Sequence, residues 1–165
     1  LDEEKIEKAL ARLKNVNDDL KQKAITEAES FVGKLPIVIG AEHLTANALI
    51  WRNQFNETSK TFSAFYIVPE LNHHLMEGLA FPKDSNLVFI IIDSKNYSEK
   101  IKKRMSLTED VIKQNGHKIY KYQATEYGWY TDIRMFGKGP ICISVINQYS
   151  VAKFYGDQLS RRRLV

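Results

Sequence analysis

Leu35-Pro36-Ile37-Val38-Ile39-Gly40 is a short apolar run, rich in β-branched residues and closed by glycine. A strand of this kind is buried on both faces, as in a parallel sheet. Downstream of it, His43 to about Gln54 reads as a helix with Leu44, Ala48 and Trp51 on one side. Phe62-Ser63-Ala64-Phe65-Tyr66-Ile67-Val68 is the next strand, stopped by Pro69. Leu87-Val88-Phe89-Ile90-Ile91-Ile92 is the third and most apolar. Ser98 to Asn115 is an amphipathic helix, stopped by Asn115-Gly116. His117-Lys118-Ile119-Tyr120-Lys121-Tyr122 alternates and suits a strand at or near a sheet edge. Strands alternating with helices at this spacing imply right-handed βαβ units, and so a parallel sheet with helices on both faces.

Upstream of the first strand, Ile6, Leu10 and Leu13 make a narrow apolar stripe on a helix over 2–15. Asn17-Asp18-Asp19 starts a second helix that runs to about Lys34, with Leu20, Ala24, Ala28, Phe31 and Val32 inward. Residues 1–34 thus read as a helical lead-in, and 35–165 as the domain it covers. At the other end, 124–139 reads as a loop with short extended pieces, and a closing helix is expected from about Pro140 to Arg162.

The composition fits one soluble globular domain. The chain has 165 residues, 44% hydrophobic and 27% charged, with 8 glycines and 4 prolines. Disordered and collagen-like classes are excluded on those figures. The net charge of +4 is modest, and Arg161-Arg162-Arg163 is the one basic run, read as a solvated helix end. No nucleic-acid partner is expected, because the aromatic residues follow core periodicity or loops without interleaved cations. No apolar run approaches the roughly 18 residues of a membrane helix. The single cysteine, Cys142, sits in an apolar stretch, and a reducing, cytoplasmic setting is expected.

In open parallel sheets, ligands bind outside the carboxyl ends of the strands, so the loops after Ile39, Val68, Ile92 and Tyr122 are candidates. Two stretches are chemically unusual. Asn56-Glu57-Thr58-Ser59-Lys60, after the first helix, gathers a carboxylate, two hydroxyls, an amide and an ammonium; it also reads as an ordinary polar helix end. Pro69-Glu70-Leu71-Asn72-His73-His74 runs from an apolar strand into a carboxylate, an amide and two imidazoles. It reads either as capping and surface polarity or as acid–base chemistry, for which a histidine is suited near neutral pH. Adjacent histidines without a third ligand at metal spacing do not make a zinc site, and no metal or cofactor is expected. Neither a dinucleotide-binding glycine fingerprint, a P-loop nor a GxSxG elbow occurs. His43 and His117 stand alone and read as structural.

Together the two stretches resemble a known family, the bifunctional phosphoglucose/phosphomannose isomerases built from sugar isomerase (SIS) domains. The resemblance covers about residue 20 to the end and falls on the carboxy-terminal half of the family. It is carried by Leu35 to Gly40, by Trp51-Arg52-Asn53-Gln54-Phe55-Asn56-Glu57-Thr58-Ser59-Lys60, and by Pro69-Glu70-Leu71-Asn72-His73. It implies a flavodoxin-like SIS fold, an α/β three-layer αβα sandwich around a five-stranded parallel sheet. It implies aldose–ketose isomerisation of a hexose 6-phosphate without metal or nucleotide. Glu57 then takes the place of the base that moves a proton between C2 and C1. His73 takes the place of the ring-opening histidine, which comes from the neighbouring subunit of a homodimer. Asn56, Lys60, Glu70 and Asn72 are the substrate-binding candidates.

Three departures from the pattern matter. Nothing here matches the family's amino-terminal SIS domain, which supplies a phosphate loop and a transition-state arginine. With Leu1 as its start, the chain is expected to be an excised carboxy-terminal domain, inactive alone. The family's tail is expected to begin about where Arg161-Arg162-Arg163-Leu164-Val165 stops. The second box has His74 and Leu75 where the family has Asn and Glu, which removes two polar neighbours of His73. That change favours a second reading, a phosphosugar-binding sensor without catalysis; a third reading is a different SIS enzyme acting on an amino sugar phosphate.

Overall fold

The computed structural model describes residues 27, 29–57, 59–83 and 85–124. The helices expected over 2–15 and from Pro140, the loop beyond Ala124, and Cys142 lie outside these residues. So does most of the second lead-in helix, of which Glu29–Phe31 is a 3-10 turn.

Four parallel strands form the sheet: β1 (Leu35–Ala41), β2 (Ala64–Val68), β3 (Leu87–Ser94) and β4 (Lys118–Ala124). Their order is β2-β1-β3-β4. Four strands stand among the described residues, where the family resemblance implied five. Ile37 pairs with Ala64 on one side of β1 and with Phe89 on the other. This two-sided pairing explains the unbroken apolar reading of β1, in which six of seven residues are buried. β2 begins at Ala64 rather than Phe62. Phe62 is 70% exposed, and the Ser63 hydroxyl turns in to donate to the Pro36 carbonyl at 2.8 Å.

Helix α1 (Thr45–Glu57) follows a 3-10 turn and buries Asn47, Ala48, Trp51 and Phe55, spaced to face one side. It folds back tightly on β1. A Cβ at Gly40 would lie 3.0 Å from both the Ala48 Cβ and the Leu44 carbonyl oxygen, so glycine is the residue that fits. After β2 comes α2, a single turn (Leu71–His74), and then a 3-10 turn over Glu77–Ala80. Helix α3 (Glu99–Gln114) is capped by the Ser98 hydroxyl, which accepts from the Ile101 amide, and it buries Ile101, Met105, Thr108 and Ile112. Gly116, with φ of +80°, takes the chain out of the helix.

β4 shows which residues meet which helix. Tyr122 meets Trp51 of α1 edge-on at 5.0 Å, and Tyr120 lies 4.7 Å from Phe31. Lys121, between them, reaches Glu109 of α3 at 2.8 Å. Neighbouring residues on a strand point to opposite faces, so α1 and α3 meet β4 from opposite sides. The lead-in is held here too: Tyr122 donates its hydroxyl to Glu27, and Lys118 donates to the Ser30 hydroxyl at 3.3 Å. His117, expected to be structural, reaches the Leu79 carbonyl at 2.8 Å and packs on Phe89.

Candidate functional site

The topology sets the geometry of the two chemically unusual stretches. β1 rises to its carboxyl end, α1 returns, and β2 rises again beside β1. Glu57, the last residue of α1, therefore lies at the amino end of the sheet. His73, in the turn after β2, lies at the carboxyl end. The Asn56–Lys60 stretch is thus not at the end of the sheet where parallel strands ordinarily bind ligands. Within one chain the five residues of β2 stand between the two groups, roughly 15 Å of extended chain.

At the amino end, Glu57 is exposed. The turn behind it is tightly bonded. The Asn56 amide donates to the Arg52 carbonyl at 2.8 Å and to the Ser63 carbonyl at 3.0 Å, and its oxygen accepts from the Ser63 amide at 3.3 Å. Lys60, at φ of +50°, donates its ammonium to the Glu57 carbonyl at 2.6 Å. Thr61 donates its amide to the Phe55 carbonyl and its hydroxyl to the Ser59 carbonyl. A cavity of about 310 Å³ opens beside this turn, lined by Arg52, Asn56, Phe62, Phe65 and Tyr66 among others. The Arg52 guanidinium lies 5.3 Å from the centre of the Phe65 ring, a cation–π contact, and its buried Nε has no hydrogen-bond partner.

At the carboxyl end, Leu71 is fully buried and anchors α2. Asn72 donates its amide to the Thr108 hydroxyl of α3 at 2.8 Å, while its own oxygen is buried without a partner. Glu70, His73 and His74 are exposed. The Glu70 carbonyl accepts from the His73 amide at 3.0 Å, and His74 meets Tyr66 edge-on at 6.4 Å. Leu75, where the family pattern has glutamate, packs on the core. Of the six site candidates, Asn56, Glu57 and Lys60 are brought together, as are Glu70, Asn72 and His73; the two trios are not joined in one chain.

Two features escaped sequence reasoning. The first lies where β1 and β3 end. Tyr97 is buried, donates to the Ile92 carbonyl at 2.9 Å and accepts from the Ala41 amide at 3.2 Å. Burial pushes its phenol well above the ordinary tyrosine range, and the nearby charges of Asp93 and Glu42 add to this against the Ala41 bond. Glu42, beside it, accepts from Ser98. The second is an ion cluster. Lys121 pairs with Asp93 at 3.1 Å and with Glu109 at 2.8 Å, and Lys113 pairs with Glu109 at 2.7 Å. Burial works to raise the Glu109 carboxyl, but the two ammonium groups outweigh it and hold it below its ordinary range. Burial likewise opposes the charge on Lys121, and its two carboxylate partners raise it nonetheless. The alternation of β4 carried a hint of this, since it sends Lys121 to one face alone. Among the described residues no group of three or more His, Cys, Asp or Glu could hold a metal, and no helix is long and apolar enough to cross a membrane.

Comparison with known proteins agrees with this architecture. The chain is 28% identical over 117 residues to the bifunctional phosphoglucose/phosphomannose isomerase of Aquifex aeolicus (strain VF5), covering 70% of this chain and 37% of that protein. It thus spans little more than a third of that relative's length. Among solved structures, the carboxy-terminal domain of glucosamine-fructose-6-phosphate aminotransferase from Francisella tularensis superposes with a TM-score of 0.65 at 15% identity, over 87% of this chain and 44% of that one. A glucose-6-phosphate isomerase-like protein from Thermus thermophilus gives 0.54 at 11% identity, over 75% and 40%. These structural likenesses concern the fold. Residues 20–132 match the family described as the bacterial phospho-glucose isomerase C-terminal SIS domain. The chain belongs to that family.

Proposed function

We propose that this chain is the carboxy-terminal half of a cytoplasmic aldose–ketose isomerase that interconverts glucose or mannose 6-phosphate with fructose 6-phosphate. Its SIS domain, residues 35–165 behind the lead-in of 1–34, would be a three-layer αβα sandwich around a five-stranded parallel sheet. An amino-terminal SIS domain would supply the phosphate site. Supporting this reading is the exposure of Glu57, the last residue of α1, and of His73, in the single turn α2, both within the span of the family match.

Abstracting a proton alpha to a carbonyl needs a carboxylate within hydrogen-bond reach of carbon-bound hydrogen. Glu57 is that base, moving one proton between C2 and C1 on one face of a cis-enediol. Ring opening needs a group that donates to the ring oxygen and accepts from the anomeric hydroxyl, and His73 serves there. No metal enters the scheme. Lys60 and Glu70 reach the substrate, whereas Asn56 and Asn72 hold the two turns in shape.

The opposite placement of Glu57 and His73 calls for two copies of the chain. A two-fold axis perpendicular to β2 reverses the strand direction, and so sets the carboxyl end of one copy against the amino end of the other. Each site then takes Glu57 from one protomer and His73 from its partner.

The test is a coupled assay on the full-length protein, fructose 6-phosphate to glucose 6-phosphate, with Glu57→Gln beside the wild type. Turnover is expected to fall by about 10²–10⁴-fold in the variant, and solvent deuterium is expected at C1 or C2 of the wild-type product. A wild type that binds the sugar phosphate without turnover or exchange would make the chain a sensor, the reading that His74 and Leu75 favour.

A further inference from the structure

Arg52 lies within α1 and Phe62 just ahead of β2, and both line the cavity of about 310 Å³ beside the turn that joins these elements. Small-molecule pockets run from roughly 300 to 1,000 Å³, so this one suits a molecule of one ring. Three aromatic residues line it, Phe62, Phe65 and Tyr66, and Phe62 is 70% exposed. Such open apolar surface is surface a ligand covers with a gain in free energy. The amide and hydroxyl of the wall are already engaged. Asn56 donates to the Arg52 and Ser63 carbonyls and accepts from the Ser63 amide. Ser63 commits its hydroxyl to the Pro36 carbonyl. Arg52 differs. It is the one charged residue of the wall, its guanidinium rests against the Phe65 ring, and its buried Nε has no partner. Among the described residues no carboxylate pairs with it.

We propose that this cavity is a binding site for a small aromatic carboxylate, held by Arg52 at its acid group and by Phe62, Phe65 and Tyr66 at its ring. A guanidinium takes a carboxylate through two parallel N–H bonds. With the Nε buried, the two terminal nitrogens are the donors left for that task. Stacking on Phe65 already fixes the plane of the group, so less side-chain freedom is lost when a ligand arrives. One cation matches one negative charge, which favours a carboxylate over a phosphate dianion, whose second charge would enter the cavity unpaired. A flat aromatic body suits ring walls, which make offset and edge-on contacts. Of the lining residues only Asn56 enters the isomerase reading, and there as a brace of the turn. The site therefore stands whether or not Glu57 and His73 act as proposed above.

The experiment is a fluorine NMR titration of the full-length protein with para-fluorobenzoate, with no sugar phosphate present. Saturable line broadening is expected, with a dissociation constant on the order of a few millimolar for a probe of this size. The uncharged analogue, para-fluorobenzyl alcohol, is expected to bind about tenfold more weakly or worse. Arg52→Gln removes the charge with a residue that helices accept, and should weaken binding about tenfold. Phe62→Ser changes a side chain that is 70% exposed, so the fold does not depend on it, and should weaken binding severalfold. A wild type without saturable broadening overturns the proposal, as does an alcohol that binds as tightly as the acid. Binding unchanged in Phe62→Ser also overturns it. So does binding unchanged in an Arg52→Gln protein whose circular dichroism and melting match the wild type.

Discussion

Asn56 and Ser63 are joined by two antiparallel hydrogen bonds: the Asn56 side-chain amide donates to the Ser63 carbonyl at 3.0 Å, and the Ser63 amide donates back to the Asn56 oxygen at 3.3 Å. A primary amide can imitate a backbone peptide in this way, because it sets an N–H donor and a carbonyl acceptor side by side, and its second N–H serves the Arg52 carbonyl. The pair closes the turn that begins at Glu57. Asn56→Ala leaves the Ser63 amide and carbonyl without those partners, at a cost of about 1–3 kcal/mol. Urea unfolding should show a lower midpoint with an unchanged slope. In the full-length protein kcat should fall more than KM rises, because Glu57 loses its support while the substrate's other contacts remain.

The buried phenol of Tyr97 gives a pH dependence with a definite sign. Its folded-state pKa is raised, chiefly by burial. The stabilisation is therefore complete below the unfolded tyrosine value of about 10 and declines as pH rises above it. Tyr97→Phe removes the tyrosine hydroxyl from the Ala41 amide and the Ile92 carbonyl and should lower stability by about 1–3 kcal/mol at neutral pH. The difference between wild type and variant should narrow above about pH 10, as measured by unfolding at a series of alkaline pH values.

The ion cluster on β4 should act at the opposite end of the pH scale. Glu109 titrates below its ordinary range because Lys113 and Lys121 overcome the effect of burial. Its contribution is present above the unfolded carboxylate value and is lost as pH falls through the folded one. Lys121, which is raised, adds a contribution present at neutral pH and lost only in strong alkali. Lys121 is 40% exposed, so solvent screens the pairs. Glu109→Gln should lower stability at neutral pH by about 1 kcal/mol or less. The difference should shrink in acid and in high salt, as read from urea midpoints.

Much of this fold was legible because local pattern and burial coincide. The apolar runs of β1 and β3 are the strands with neighbours on both sides, and the spacing of Ile101, Met105, Thr108 and Ile112 is the buried face of α3. The site was legible in its residue types and less so in its geometry. Composition marks Asn56 and Asn72 as candidate ligand groups, but one is bonded to Ser63 and the other to Thr108, 36 positions away. The Glu42–Ser98 contact spans 56 positions. No local pattern announces pairings at such separations. The return path of α1, which sends Glu57 to the amino end of the sheet, follows from the βαβ reading, but it has to be traced in three dimensions before the two trios separate.

That separation is best tested by complementation. Glu57→Gln and His73→Ala variants of the full-length protein would be assayed singly, and then after co-expression or refolding together so that subunits mix. If each site takes Glu57 from one protomer and His73 from its partner, every mixed dimer carries one intact site. An equal mixture is then expected to recover about a quarter of wild-type activity, although each variant alone is nearly inactive. Mixed dimers verified by mass and yet no more active than the single variants would contradict a site shared between two copies.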